Sequence, residues 1–184
     1  MFPLMKSLRT LSLAGIATVA LIVGLAASRH PFGPSDRYHV IDGDTLELEA
    51  SDCLAARLGV GCVKQRVRLY GVDAFELEQN CRDAQGQTWP CGRVAAQRLT
   101  ELVNTPEFAC HVDQELMDSR AREFAICLAG GQDVGEVLVR EGLAVAYGRG
   151  TRYIAFEEVA KREGRGAWAG RFVRPQYFRR GATD

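Results

Sequence analysis

The sequence predicts an α+β fold: a five-stranded Greek-key β-barrel with about three flanking helices, preceded by an N-terminal hydrophobic helix. Short β-type segments alternate with turn signals and with helical patterns. The 184 residues suit one domain plus an appendage, and a hydrophobic content of 47% is enough for a real core. No repeat with a period of roughly 20 to 50 residues occurs, so a solenoid is a poor alternative.

The first 28 residues have the character of an export signal. Lys6 and Arg9 precede an almost wholly apolar run at residues 11–27. The small residues Ala26-Ala27-Ser28 suit cleavage, yet the run is nearly long enough to span a membrane. Both a cleaved signal peptide and a retained membrane anchor remain open. In either case we expect export, to the periplasmic face of the inner membrane or as a secreted or periplasmic protein.

Six cysteines follow this segment, and their even number in an exported chain predicts disulfides. Spacing alone allows many pairings, and metal binding by the thiols is a weaker alternative because no paired C-x-x-C occurs. The simplest arrangement is sequential: Cys53 with Cys62, Cys81 with Cys91, and Cys110 with Cys127.

The first strands come directly after a linker at residues 29–37. Tyr38 to Glu49 alternates around an Asp-Gly turn signal and predicts a strand or bent hairpin. Lys64 to Val72 predicts a second strand, with Arg68 on its polar face. Between the two strands, residues 50–63 have the pattern of an inserted loop closed by a disulfide.

The remaining elements alternate between helix and strand, and together they favour an antiparallel barrel with helices outside. The spacing of apolar residues and the capping signals predict a loop at Glu78 to Cys91, a helix at Arg93 to Val103, a strand pair at Phe108 to Leu116 and Glu123 to Ala129, a helix between Asp133 and Gly142, a strand at Leu143 to Tyr147, and a helix at Arg152 to Glu163 followed by a packed Trp168.

The net charge of the chain excludes a polycationic protein that binds anions non-specifically. The full chain carries 23 basic and 23 acidic residues, and without Lys6 and Arg9 the balance is 21 against 23, or −2. Locally, Arg149 to Arg180 contains nine Lys or Arg against three Glu. That run fits either a solvated helical face or a surface that contacts phosphates.

Three carboxylates follow strand ends or tight turns: Asp44, Asp73 and Glu76. If they lie within ~5 Å of one another, each pair repels by about 3 kcal/mol at an effective dielectric constant near 20. A bound hard cation would remove that penalty, and oxygen ligands favour Ca²⁺ or Mg²⁺. Asp42-Gly43-Asp44 taken alone is more typical of a turn with solvated acids.

Further segments match this motif in order and spacing, and together they resemble the staphylococcal-nuclease-like, or thermonuclease, family. The resemblance covers Tyr38 to Phe178 and leaves residues 179–184 as a tail. It implies an OB-fold-like barrel. The matching segments are Val40 to Thr45, Arg68 to Asp73 with Glu76, Asp118 to Arg122 with the strand Phe124 to Leu128, and Leu138 to Ala144.

The resemblance implies a Ca²⁺ site and a hydrolytic mechanism. Asp44, Asp73 and the main-chain carbonyl of Ala74 would bind Ca²⁺. Glu76 would orient or deprotonate the attacking water. Arginine offers a planar, bidentate fork for phosphate, and in this mechanism it would neutralise charge on the scissile group. The residues implied for that role are Arg68 and Arg122.

Two departures from the family pattern affect the site. Ala74-Phe75 replaces the usual Thr-Pro, so the loop before Glu76 lacks the rigidity of proline. Ala121 and Arg120 replace a Gly and a Tyr before the second phosphate arginine. Tyr147 lies near the position at which the family stacks a base on an aromatic ring.

We therefore expect a Ca²⁺-dependent endonuclease of low sequence specificity, monomeric, with single-stranded DNA or RNA as favoured substrate. A catalytically silent nucleic-acid-binding OB-type module is the alternative. Such a module has no reason to keep all five catalytic and metal-binding side chains. A membrane-anchored interaction module is a third possibility, but no amphipathic helix or exposed apolar patch is evident for it.

Overall fold

The computed structural model describes residues 36–51, 62, 64–117, 122–148 and 151–183. The predicted N-terminal hydrophobic helix, and with it the choice between signal peptide and anchor, lies outside the described residues. So does most of the predicted inserted loop at residues 50–63. Within the described ranges, no helix is both long and apolar enough to cross a membrane.

The described elements follow the predicted order. The strands are β1 Arg37–Val40, β2 Thr45–Glu49, β3 Lys64–Leu69, β4 Val72–Ala74, β5 Cys81–Arg82, β6 Thr88–Trp89, β7 Ala109–Met117, β8 Glu123–Ala129, β9 Gln132–Asp133 and β10 Ala144–Ala146. The helices are α1 Cys91–Val103, α2 Val134–Arg140, α3 Thr151–Glu163 and α4 Pro175–Phe178, with a 3₁₀ turn at Gly166–Ala169.

One curled sheet, in the form of a half-barrel, organises the domain and confirms the mixed α+β class. Its strand order is β1-β2-β3-β8-β7, and β9 pairs with β8. The pairs in it are antiparallel except for β3 with β8, which run parallel. A parallel pair needs a long connection, and here α1 and β7 lie in the chain between the two strands.

Two smaller sheets flank the main one. β4 pairs with β10, and β5 pairs with β6. The segment Glu78 to Cys91, which the sequence predicts as a loop, therefore contains a hairpin. Its strands are two residues long, too short for any alternation of polar and apolar residues to register.

The described disulfides follow the sequential pairing. Cys81 bonds Cys91 with an S–S distance of 1.98 Å, and Cys110 bonds Cys127 at 2.03 Å. Cys62 is also disulfide-bonded, while Cys53 lies outside the described residues. These bridges point to an extracellular or periplasmic location.

The core lies between the main sheet and the helices. Ala95, Leu99 and Leu102 on one face of α1 are buried in the same hydrophobic cluster as Leu46 and Val67 of the sheet. An apolar stripe of this kind is what commits a helix to pack on a sheet.

The helix between Asp133 and Gly142 has the predicted cap. The side chain of Asp133 accepts a hydrogen bond from the Glu136 N–H at 3.2 Å. Gly142 follows the helix with φ of 71°, a left-handed conformation that favours glycine. The four-residue helix α4 was not predicted, because its length gives no periodic signal.

Candidate active site

Strand register brings the motif residues to one end of the sheet. Thr45, the first residue of β2, lies opposite Arg68 in β3. Glu123, the first residue of β8, lies opposite Val67, so Arg122 enters at the same end. Three segments that are distant in sequence therefore meet at one place because the strands that carry them are neighbours.

The acidic turn between β1 and β2 is held by its own hydrogen bonds. The N–H of Ile41 donates to the Thr45 carbonyl at 2.9 Å, and the N–H of Asp44 donates to Asp42 Oδ1 at 3.0 Å. A Cβ on Gly43 would lie 2.7 Å from the Cβ of Ala74, so only glycine lets the turn approach β4 so closely. The turn signal seen in the sequence is thus also a packing requirement.

Arg68 lies between two buried aspartates. Gly71, with φ of 72°, reverses the chain after β3 and returns Asp73 toward Arg68. Arg68 Nη2 donates to Asp44 Oδ2 at 2.7 Å and to Asp73 Oδ1 at 2.5 Å. Asp44 is 5% exposed and Asp73 is fully buried. Arg68 supplies the nearby positive charge that such carboxylates require.

Arg122 is linked to Asp44 through the hydroxyl group of Thr45. Its Nη1 donates to Thr45 Oγ1 at 2.9 Å, and Thr45 Oγ1 donates to Asp44 Oδ1 at 3.0 Å. The main-chain N–H of Ala74 donates to Asp44 Oδ2 at 3.1 Å. Asp44 is therefore the point at which β2, β3, β4 and the start of β8 are joined by hydrogen bonds.

The electrostatics of Asp44 favour an additional positive charge. Burial raises the pKa of Asp44 to about 7, the charge of Arg68 opposes that rise, and the nearby charges of Asp42 and Asp73 add to it. Arg68 thus compensates only part of the cost of ionising this carboxyl. A bound cation would lower that cost further.

Glu76 is held by a residue that sequence reasoning missed. Arg179 Nη1 donates to Glu76 Oε1 at 2.6 Å and to Asp73 Oδ1 at 2.9 Å. Arg179 begins the segment that the sequence predicts as a tail. The only sequence signal for it is its place in the basic run Arg149 to Arg180.

Other described residues of that basic run pair with acids. The pairs include Arg152 with Asp133, Lys161 with Glu158, Arg165 with Glu163, and Arg174 with Glu157. These contacts favour a solvated surface whose cations pair with acids over a surface that contacts phosphates. Among the described members of the run, Arg179 contacts Asp73 and Glu76 of the site.

Tyr147 lies beside the glycine turn that separates Arg68 from Asp73. It follows β10, in which Val145 lies opposite Asp73, and its N–H donates to the carbonyl of Gly71 at 2.9 Å. Its side chain is 42% exposed. A ring of this kind is accessible to a planar ligand.

The donor set fits a hard cation. Asp44 and Asp73 are both bonded by one guanidinium nitrogen, so their oxygens lie close together. The N–H of Ala74 donates to Asp44 Oδ2, and in an extended strand the C=O of a residue points to the same edge as its N–H, so we expect the Ala74 carbonyl on the side of Asp44. Among the described residues no group of three or more His, Cys, Asp or Glu side chains forms a metal cluster. Two carboxylates and a carbonyl leave the remaining ligands to water and substrate.

Comparison with known proteins agrees with this geometry. A family model described as "Staphylococcal nuclease homologue" matches residues 66–170. The chain is also similar to the succinoglycan biosynthesis protein ExoI of Rhizobium meliloti (strain 1021). The two are 28% identical over 167 residues, which cover 84% of this chain and 77% of the relative.

Proposed function

Because the chain belongs to the family of staphylococcal nuclease homologues, we propose that it is a Ca²⁺-dependent endonuclease. It hydrolyses phosphodiester bonds of DNA, RNA or both with low sequence specificity. The observation that carries the proposal is the convergence on Asp44 and Asp73 of Arg68, the hydrogen-bonded chain from Arg122, and the Arg179–Glu76 pair.

Asp44, Asp73 and the Ala74 carbonyl are the residues that would bind the ion. When bound, Ca²⁺ supplies positive charge that polarises the phosphate and stabilises the oxygens on which negative charge develops. The pKa of Asp44 supports this assignment, because burial raises it even with Arg68 beside the carboxyl, so a further cation would favour the ionised form.

The protein side chains position the phosphate and the attacking water. Both ion pairs of Arg68 use Nη2, and a guanidinium group has five N–H donors, so its remaining donors suit two phosphate oxygens. Arg122 would contact the same phosphate from the start of β8. Glu76 would accept a proton from the water that attacks phosphorus on the side opposite the leaving oxygen.

We infer a preference for single-stranded nucleic acid, because its unpaired bases can stack on the exposed ring of Tyr147. We include in the proposal a base stacked on Tyr147, closure of the curled sheet as a five-stranded Greek-key OB-type barrel, and a monomeric state. The predicted anchor at residues 11–27 would hold this domain at the periplasmic face of the inner membrane, and cleavage would release it.

The test is cleavage by the full-length chain of labelled single-stranded DNA and RNA, with Ca²⁺ or with a chelator. We expect internal cuts with Ca²⁺ and none with chelator. Retained binding with intact phosphodiester bonds would instead support a silent nucleic-acid-binding module. Equal cleavage under both conditions would contradict the calcium assignment.

Asp44→Asn is expected to change the pH dependence of stability and to remove the stabilisation by Ca²⁺. The wild-type pKa of Asp44 is raised to about 7, above that of an unfolded aspartate, so the folded state holds this proton more tightly. The contribution of Asp44 to stability should therefore fall as the pH rises from about 4 to 7 and then level off. The variant should lack this part of the slope and lose its stabilisation by Ca²⁺. Denaturant unfolding at several pH values, with and without Ca²⁺, measures both effects. If Asp44→Asn keeps the wild-type slope of stability against pH, the assignment of that slope to Asp44 is wrong.

A further inference from the structure

Arg179 joins two of the acids on which the proposed function rests. Its Nη1 donates to Asp73 Oδ1 at 2.9 Å and to Glu76 Oε1 at 2.6 Å, and its Nη2 donates to Asp73 Oδ2 at 3.1 Å. Asp73 is fully buried, whereas the Glu76 side chain is 29% exposed. The planar guanidinium group of Arg179 thus joins the partly exposed side chain of Glu76 to the fully buried side chain of Asp73.

Contacts of the preceding residues determine where Arg179 lies. The buried side chain of Gln79 donates to the Val173 carbonyl at 2.6 Å. Arg174 Nη2 pairs with the buried Glu157 at 2.5 Å. The chain is therefore held at two consecutive residues, Val173 and Arg174, immediately before α4 leads to Arg179.

The same segment supports the loop that carries Glu76. Phe75 is 1% exposed and packs edge to face on Phe172, with ring centroids 5.1 Å apart. Gln79 donates its N–H to the Glu76 carbonyl at 2.7 Å, and its side-chain oxygen accepts from the Glu76 N–H at 3.3 Å. No proline stiffens residues 74–76, so packing and these hydrogen bonds supply the rigidity.

We propose that Arg179 is a positioning residue for phosphodiester hydrolysis and that residues 172–179 are part of the active site. Arg179 holds Oε1 of Glu76, which leaves Oε2 to accept the proton of the attacking water. A displacement of about 1 Å in such a group can cost about 10²-fold in rate. The inference rests on the proposed function and adds a residue that lies 103 positions after Glu76 in the chain.

The experiment compares four full-length proteins: the wild type, Arg179→Ala, Arg179→Lys and Arg180→Ala. Arg180 is exposed and adjacent in sequence, which makes its variant a matched control for charge. We expect kcat with Ca²⁺ to fall about 10²-fold in Arg179→Ala, with a much smaller change in KM and no loss of Ca²⁺ affinity, because the variant removes positive charge from beside Asp73. Arg179→Lys keeps the charge but not the fork, so its loss should be intermediate. Arg180→Ala should match the wild type.

A second measurement is independent of activity. Hydrogen exchange in the absence of Ca²⁺ should accelerate across residues 74–79 in Arg179→Ala and not in Arg180→Ala. An active wild type beside an unchanged kcat in Arg179→Ala would overturn this inference alone. A loss of Ca²⁺ binding in proportion to kcat would reduce Arg179 to a structural role and also overturn it. A wild type with no Ca²⁺-dependent cleavage would overturn the proposed function as well.

Discussion

Replacing Arg68 with alanine is expected to reduce the rate of Ca²⁺-dependent cleavage by about 10³- to 10⁵-fold, the range for arginines that stabilise phosphoryl transfer. The variant removes a guanidinium group that bonds both Asp44 and Asp73. It therefore also leaves two buried carboxylates without their shared partner. Single-turnover cleavage of labelled single-stranded DNA measures the rate.

The same variant should be strongly destabilised without Ca²⁺ and partly restored by it. Breaking a buried ion pair from one side costs about 3 to 5 kcal/mol, and Arg68 is 8% exposed. Ca²⁺ would supply the missing positive charge, so the rise in melting temperature on adding Ca²⁺ should exceed that of the wild type. Unfolding by heat, with Ca²⁺ and with chelator, measures this difference.

Arg66→Ala is the matched control for Arg68. Arg66 lies two residues earlier on β3, its side chain is 63% exposed, and it pairs with Glu47 at 3.6 Å. A surface pair of this kind contributes ~1 kcal/mol or less. If Arg66→Ala and Arg68→Ala show equal losses of rate, the assignment of Arg68 to the phosphate is wrong.

The features predicted best from sequence are those set by short-range geometry, such as the capped helix α2 and the Cys81–Cys91 bridge. The ion pair of Arg68 with Asp73 across the Gly71 turn is also local, but it was not predicted, because the family resemblance assigns the two residues to phosphate and to Ca²⁺. The convergence of Arg68 with Arg122 was implied by family resemblance, since the parallel register of β3 and β8 leaves no signal in either strand alone.

Arg179 shows what sequence patterns cannot supply. It lies 103 residues from Glu76 along the chain, and no periodicity of polar and apolar residues spans that separation. Its position depends on the buried Gln79, on Glu157 in α3 and on the packing of Phe172, each of which is a tertiary contact. The missing proline at Phe75 pointed to a loose loop, whereas the fold supports this loop from the C-terminal segment.

Glu76→Gln is expected to lower kcat by about 10²- to 10⁴-fold, the usual contribution of general base catalysis, while Ca²⁺ and nucleic acid still bind. In the wild type, Arg179 Nη1 donates to Glu76 Oε1 at 2.6 Å. Glutamine keeps an oxygen that can accept this hydrogen bond, but it cannot take a proton from water. Calorimetric titration with Ca²⁺ and a binding assay with uncleaved single-stranded DNA should therefore resemble those of the wild type.

Glu78→Gln provides the comparison, because Glu78 is exposed and only two residues away. It changes the net charge of the same loop by the same amount, so a purely electrostatic effect on substrate binding would appear in both variants. A rate loss confined to Glu76→Gln would identify proton transfer as the affected step. Equal rates in the two variants would remove Glu76 from the mechanism and return the role of base to another group or to water itself.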